Sequence, residues 1–279
     1  MALLEWKPAP WSIPTELELE AAERLLSHRP SDTRKHGIGA IFTYWDFSAC
    51  AIAINALSRL NNHTFKNIRS ISLHEDTPAV CMPQCHVEGL IPLWARSPRL
   101  QVQRQVRYYD AAFLSQLTLQ STSVAAGIWR LRMREPLYHL ESLLNWLAEA
   151  QKMFLTHHLR KDAYTLIFEE KGNNKMWHLL GNAVRMQVAM NKSYEAQNLP
   201  LPLGLFPKCQ EFRYWAPSTL PAWLPDLFRE TVRGGGGRIR YKGRLMADWE
   251  RELDVVVVDT EKTLEKWMAE WFALVRGIM

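Results

Sequence analysis

FKNIRSISLHED (65–76), QCHVEGLIPLWARSP (84–98) and LQVQRQVRYY (100–109) decide how this chain folds. In the first, Ile71 and Leu73 alternate with Ser70, Ser72 and His74. That is the period of a half-buried strand, because successive side chains leave a strand on opposite faces. A turn-rich gap from Glu75 to Pro83 follows. In the second, Cys85, Leu90, Leu93 and Trp94 fall on one helical face, while Pro92 argues against an undistorted helix and Pro98 suits a stop. In the third, Leu100, Val102 and the stem of Arg104 share a face, with a switch of face expected before Val106. A strand, a helix and a strand joined at this length are what a parallel crossover needs, so a βαβ-like unit is expected over about 65–109.

Working outward, the phrase IPTELELEAAERLLSH offers Thr15 as an N-cap, followed by Leu17, Ala21 and Leu25 at helical spacing. Residues 38–60 read as an extended piece followed by a buried helix, with Asn61-Asn62 as its exit. Leucines at 140, 143, 144 and 147 mark a long helix, AYTLIFEE (163–170) a strand, and Met176, Leu179, Leu180, Val184 and Val188 the inward stripe of a second long helix. Prolines crowd residues 200–225, so LPLPLGLFPKCQ and APSTLPAWLPDLF read as connections. Val255–Val258 suggests a strand, and EKTLEKWMAEWFALV a closing amphipathic helix on Leu264, Trp267, Met268, Trp271 and Val275.

The expected fold class is therefore α+β, loosely α/β. A mixed β-sheet from about 68–74, 100–108, 163–169, 238–246 and 253–258 is covered by helices at 15–27, 48–60, 138–159, 174–198 and 261–277. Residues 1–30 form an arm and first helix, and 31–279 one globular domain.

With 279 residues, 47% hydrophobic and 23% charged, the chain can bury a core and is not disordered by composition. A net charge of +5 is modest and spread out, which gives no nucleic-acid footprint. Four cysteines (Cys50, Cys81, Cys85, Cys209) are too few for a disulfide framework. MALLEWKPAPWSIP lacks the basic head and apolar run of a secretory signal, and no apolar run is long enough to span a bilayer. An intracellular protein, cytoplasmic or nuclear, with no membrane partner is expected.

His74, Cys81, Cys85 and His86 are the nearest approach to a metal site, since zinc accepts these donors. Three residues separate Cys81 from Cys85, and no second pair exists. The competing reading packs Cys85 as a small apolar residue and turns His86 to solvent. His157-His158, with Asp162 and Glu169 nearby, suggest acid–base work. Adjacent histidines on a helix point about a quarter-turn apart, however, and closing the helix end against its dipole is the simpler role. Gly234–Gly237 resembles a phosphate loop in composition only and reads as a flexible link between two strands. No nucleophile elbow, Walker-type or dinucleotide pattern is present, and no cofactor is implied. The chain is rich in tryptophan; Trp6 and Trp11 stand in the Pro-punctuated arm, where they either rim a groove or pin the arm down.

Ile13-Pro14-Thr15-Glu16-Leu17 resembles the entry to the first helix of an F-box. The resemblance covers that one helix, since polar SHRPSDTRKHG follows where an F-box has two more. ISLHEDTPAVCMPQCHVEGLIPLWARSPRLQVQRQV, with EKTLEKWMAEWFALV, resembles a family of uncharacterised proteins of filamentous ascomycete fungi, some opening on an F-box-like segment. That resemblance implies a fungal, cytoplasmic or nuclear protein and no established activity.

These readings favour a non-catalytic protein-interaction module, with Trp6, Trp11, Ile13 and Leu17 as candidate partner-binding residues. The alternative is an enzyme or accessory protein of a fungal, secondary-metabolic pathway, which needs a pocket uniting groups such as His74, Cys85, His157 or Glu169.

Overall fold

The computed structural model describes residues 9–27, 47–77, 79, 82–107, 136–169, 175–199, 223–233, 238–242, 261–263, 266–267, 269–270 and 273. The chain is of the mixed α/β class, with helices and strands in one polypeptide. It groups into two compact units, Met1–Met133 with Ser142–Phe168, and Arg134–Glu141 with Glu169–Met279. The division falls within the 31–279 span.

In the first unit, α1 (Glu16–Ser27) begins as its sequence dictates. The backbone N–H of Glu18 donates to Thr15 Oγ1 at 3.3 Å, and Glu18 Oε2 accepts from the Thr15 N–H at 2.7 Å, a reciprocal capping box. Helix α2 (Ala49–Ser58) buries Cys50, Ala51, Ile54 and Leu57, and is capped by Ser48, whose Oγ accepts from the Ala51 N–H at 3.0 Å. Asn61 is more than an exit. Its side chain accepts from the Thr64 N–H at 2.9 Å and starts a further short helix, α3 (Asn62–Asn67).

The expected crossover is present. Strand β1 (Ser70–Glu75) pairs in parallel with β2 (Gln101–Arg107), in the register Ser70 to Gln101 through Glu75 to Val106. Between them lie a 3-10 helix (Pro83–Leu90) and α4 (Ile91–Arg96). Pro92 explains the break, because a residue without an N–H fits the first turn of a new helix and not the interior of a longer one. The face of β2 does not switch before Val106. Val102, Arg104 and Val106 are all buried, and Gln101 and Gln103 are exposed. Helix α2 packs on β1 and on the 3-10 helix. Helix α5 (Pro136–Thr156) contributes buried Leu143, Trp146, Leu147 and Met153. Strand β3 (Tyr164–Glu169), buried along nearly its whole length, lies on the other side of β2 from β1. His158 follows α5 with a φ of 48°, the left-handed conformation that closes many helices, in keeping with its expected role at the helix end.

In the second unit, α6 (Lys175–Ala196) buries Leu179, Leu180 and Val184 of its expected stripe, while Val188 is half-buried. It ends in a Schellman turn, with Asn198 at φ 53° and the Leu199 N–H donating to Tyr194 O at 2.9 Å. The stretch expected as a Pro-rich connection contains a helix, α7 (Leu224–Arg233), which packs on α6 and on β4 (Ile239–Lys242). Pro225 sits in its first turn, where a missing N–H costs nothing. Leu224, Leu227, Phe228 and Thr231 are buried at helical spacing. Residues 234–237, expected as a link between two strands, lie outside the described residues; the element before them is the helix α7. Of the expected closing helix, residues 266–267, 269–270 and 273 are helical, and Trp267 is buried. The strand expected at 253–258 lies outside the described residues.

Candidate functional site

Among the described residues, the densest polar arrangement gathers where β1 ends against the N-terminus of α2. Glu75, the last residue of β1, is 3% exposed, and its carboxylate accepts from the Ala49 and Cys50 N–H groups at 2.8 and 3.2 Å. An anion there satisfies donors that a helix start leaves unpaired and meets the positive end of its dipole. Arg104, fully buried in the middle of β2, donates from Nε to Glu75 Oε1 at 2.8 Å and from Nη2 to the Pro83 carbonyl at 2.7 Å. The face of its guanidinium lies 4.5 Å from the centre of the Trp146 ring. Beside this pair, Ser48 Oγ and His86 Nδ1 share a hydrogen bond of 2.6 Å, and both residues are buried. One carboxylate thus ties together a helix start, two strands and the crossover.

The electrostatics follow from burial and this single pair. Burial alone would lower the Arg104 guanidinium, but the Glu75 carboxylate in contact with it holds it above its ordinary value. Burial pushes the Cys50 thiol up to about 12, against a weaker opposing pull from Arg104. Tyr164 is raised for the same first reason, and again Arg104 opposes. Cys50 and Tyr164 stay protonated, and Glu75 is fully engaged with donors. The cluster ties the helix start, the strands and the crossover together, and one guanidinium nitrogen of Arg104, Nη1, is buried in it with no hydrogen-bond partner.

Of the metal candidates, His74 is exposed on the opposite face of β1 from Glu75, with its Nε2 3.2 Å from Ser72 Oγ. His86 does not face solvent, contrary to expectation: it is buried on the cluster side, because Ser48 gives its ring a partner there. Cys85 is half-buried and donates from Sγ to the Met82 carbonyl at 3.1 Å. Burial first, then the Glu149 and Glu88 carboxylates, raises its thiol to about 11. Cys81 lies outside the described residues. The structure does not bring His74 and His86 together, and no group of three metal-ligating side chains forms among the described residues.

A second, half-exposed cluster joins the 3-10 helix to α5. Lys152 pairs with Glu88, and lies 3.9 Å from Glu149. Burial holds the Glu149 carboxyl above its ordinary value against the pull of Lys152, and Glu88 adds to the rise. His157 is half-buried and Glu169 ends β3; nothing among the described residues joins either to His74 or Cys85.

The partner-binding candidates divide. Trp6 lies outside the described residues. Trp11 packs against the backbone of Gly89, where an added Cβ would come within 2.6 Å of its Cγ and of Ile54 Cδ1. Trp11 therefore pins the arm to the first unit. Ile13 is half-buried. Leu17, by contrast, is 76% exposed and Leu19 52%. Every described side chain of α1, from Glu16 to Ala21, is exposed. Among the described residues the other large exposed apolar side chains, Ile52, Met82, Leu155 and Leu199, sit singly on separate segments.

Two features escape a reading of the sequence. An arginine in an apolar slot of a strand reads as a stem with its head in water, and the acid that keeps Arg104 inside is 29 residues away. The partner that buries His86 is 38 residues away. Among the described residues no helix is long and apolar enough to cross a membrane. Compared with protein-family models, with curated proteins and with solved structures, the chain has no match.

Proposed function

We propose that this chain is a non-catalytic, intracellular protein-interaction module that docks through α1. The observation that carries the reading is the exposure of Leu17 and Leu19 on a helix whose described side chains all face solvent. Residues two apart leave a helix about 200° from one another, so Leu17 and Leu19 stand on different faces, and a partner's groove that receives the Leu17 side of the helix buries Leu17 together with Ala21 one turn on. Burying a leucine side chain is worth roughly 1.5–3 kcal/mol, so Leu17 alone can supply a useful share of an affinity. The anchoring of Trp11 on Gly89 supports the reading, because it tethers the arm just before α1 and lowers the ordering cost of docking. The internal polar cluster supports it from the other side, since Glu75, the Nε and Nη2 of Arg104, Ser48 and His86 are bonded to groups of the chain itself. The resemblance of residues 65–110 points to a filamentous fungus as host, with cytoplasm or nucleus as the compartment.

The test is affinity purification of the intact chain from a fungal host beside a Leu17→Ser/Leu19→Ser variant, with mass spectrometry of bound proteins and small molecules. A stoichiometric protein partner should fall about tenfold or more in the variant, the loss of one buried leucine at a contact. Circular dichroism should be unchanged, because both side chains are exposed. A retained small molecule without a protein partner would overturn the reading in favour of an enzyme.

A further inference from the structure

We infer that the free edge of β1 is a contact surface for a second copy of this chain, β1 pairing antiparallel with β1 across a twofold axis at Ser72. This contact is independent of the docking role of α1. In the first unit β1 is the outermost strand, with β2 on one side. The Gln101 N–H donates to the Arg69 carbonyl at 2.8 Å, and with the register this turns the backbone groups of Ile71, Leu73 and Glu75 toward β2. Those of Ser70, Ser72 and His74 therefore point out of the sheet, and among the described residues no backbone hydrogen bond crosses that edge. All three residues are exposed. An unpaired edge is a template for another strand, and proteins usually blunt it with a lysine, a proline or a bulge. Residues 70–74 carry none of these: the register runs unbroken, and no lysine, arginine or proline stands among them.

The edge is complementary to itself. With Ser72 on the axis, Ser70 of one copy stands opposite His74 of the other, and Ser72 opposite Ser72. These are the hydrogen-bonded positions of an antiparallel ladder, so every outward N–H and C=O of the edge finds a partner. Opposite residues also share a face. Ser70, Ser72 and His74 meet on the exposed face, Ile71 meets Leu73 on the inner one, and no like charges stand opposite each other. The charges flanking the strand favour a copy over a strand of another protein. The chain enters β1 through exposed Arg69 and leaves it through Asp76. Asp76 is 43% exposed and 3.3 Å from Arg107, and a carboxylate has lone pairs for a second donor. Antiparallel pairing brings the Arg69 end of each copy to the Asp76 end of the other, a match that a foreign strand does not have built in.

The test is sedimentation equilibrium of the purified intact chain, beside Ser72→Pro, Ser72→Lys and Ser72→Asp. Proline at 72 removes an outward N–H and leaves the ladder to β2 whole, the edge setting in which a strand tolerates it. A dimer should form, and Ser72→Pro should weaken it roughly tenfold or more through the backbone bonds lost at the axis. Because position 72 faces itself, Ser72→Lys and Ser72→Asp should each weaken the dimer roughly two- to fivefold. An equal mixture of the lysine and aspartate chains should recover the wild-type affinity. That recovery requires the twofold register, and a general loss of folding does not produce it. A chain that stays monomeric at a concentration on the order of 100 μM would overturn the inference. So would a dimer indifferent to Ser72→Pro, or one in which mixing the lysine and aspartate chains recovers nothing.

Discussion

Arg104 shows what one residue can do to a fold. Its guanidinium is inside because Glu75 meets it there, and Glu75 is inside because the start of α2 and Arg104 both donate to it. Removing either partner leaves the other charge buried and uncompensated. Arg104→Met is therefore expected to cost about 3–5 kcal/mol in urea unfolding, although methionine matches most of the apolar stem. Glu75→Leu/Arg104→Met together should recover a large part of that loss, because an apolar pair needs no solvation. A single variant that loses less than about 1 kcal/mol would show that the pair is solvated and not a clasp. The sequence could place Arg104 on β2 and on the inner face of its alternation. It could not place the head of the side chain, because that depends on a carboxylate from another strand. His86 repeats the lesson: an isolated polar residue reads as exposed until a distant hydroxyl, here that of Ser48, lets it in.

At the scale of elements, local rules made most of the chain legible. Alternation in 70–75 and 101–107, the length of the crossover and the capping residue Thr15 are properties of neighbours in sequence, and each element they predict is present. Helix α7 was hidden by Pro217, Pro221 and Pro225, although the spacing of Leu224, Leu227, Phe228 and Thr231 signals it once Pro225 is allowed its first turn. The position of the N-terminal arm was not legible, because it depends on the absence of a side chain at Gly89. There the 3-10 helix lets Trp11 and Ile54 approach its backbone, and a methyl group would sit 2.6 Å from each. Gly89→Ala is thus expected to cost about 1–3 kcal/mol, as overpacking does. Trp11→Leu in the same background should relieve part of the cost. Effects that add within about 0.5 kcal/mol in thermal or urea unfolding would show that Trp11 does not rest on Gly89.

For the molecule as a whole, burial and charge combine into one pH dependence. The first unit keeps a thiol inside at Cys50, raised from 9.0 to about 12 chiefly by burial. A thiol held protonated by the fold contributes its stability in full below the pKa of the unfolded chain. As pH climbs from 9.0 toward 12, the unfolded chain releases that proton and the folded one keeps it, so stability falls. Each proton so retained steepens the fall by about 1.4 kcal/mol per pH unit. Cys85, raised to about 11, acts in the same direction but less, because it is only half-buried. The comparison is made between variants, so that the contribution of every other group cancels. Cys50→Ala removes the buried proton and little volume, and should lower stability by a similar amount at every pH below 9. Above it, the wild-type chain should lose stability faster than Cys50→Ala, by about 1.4 kcal/mol per pH unit in urea unfolding. Parallel curves up to pH 11 would mean that the thiol reaches water, and the clasp of Glu75 and Arg104 would then be an open site instead of a sealed one.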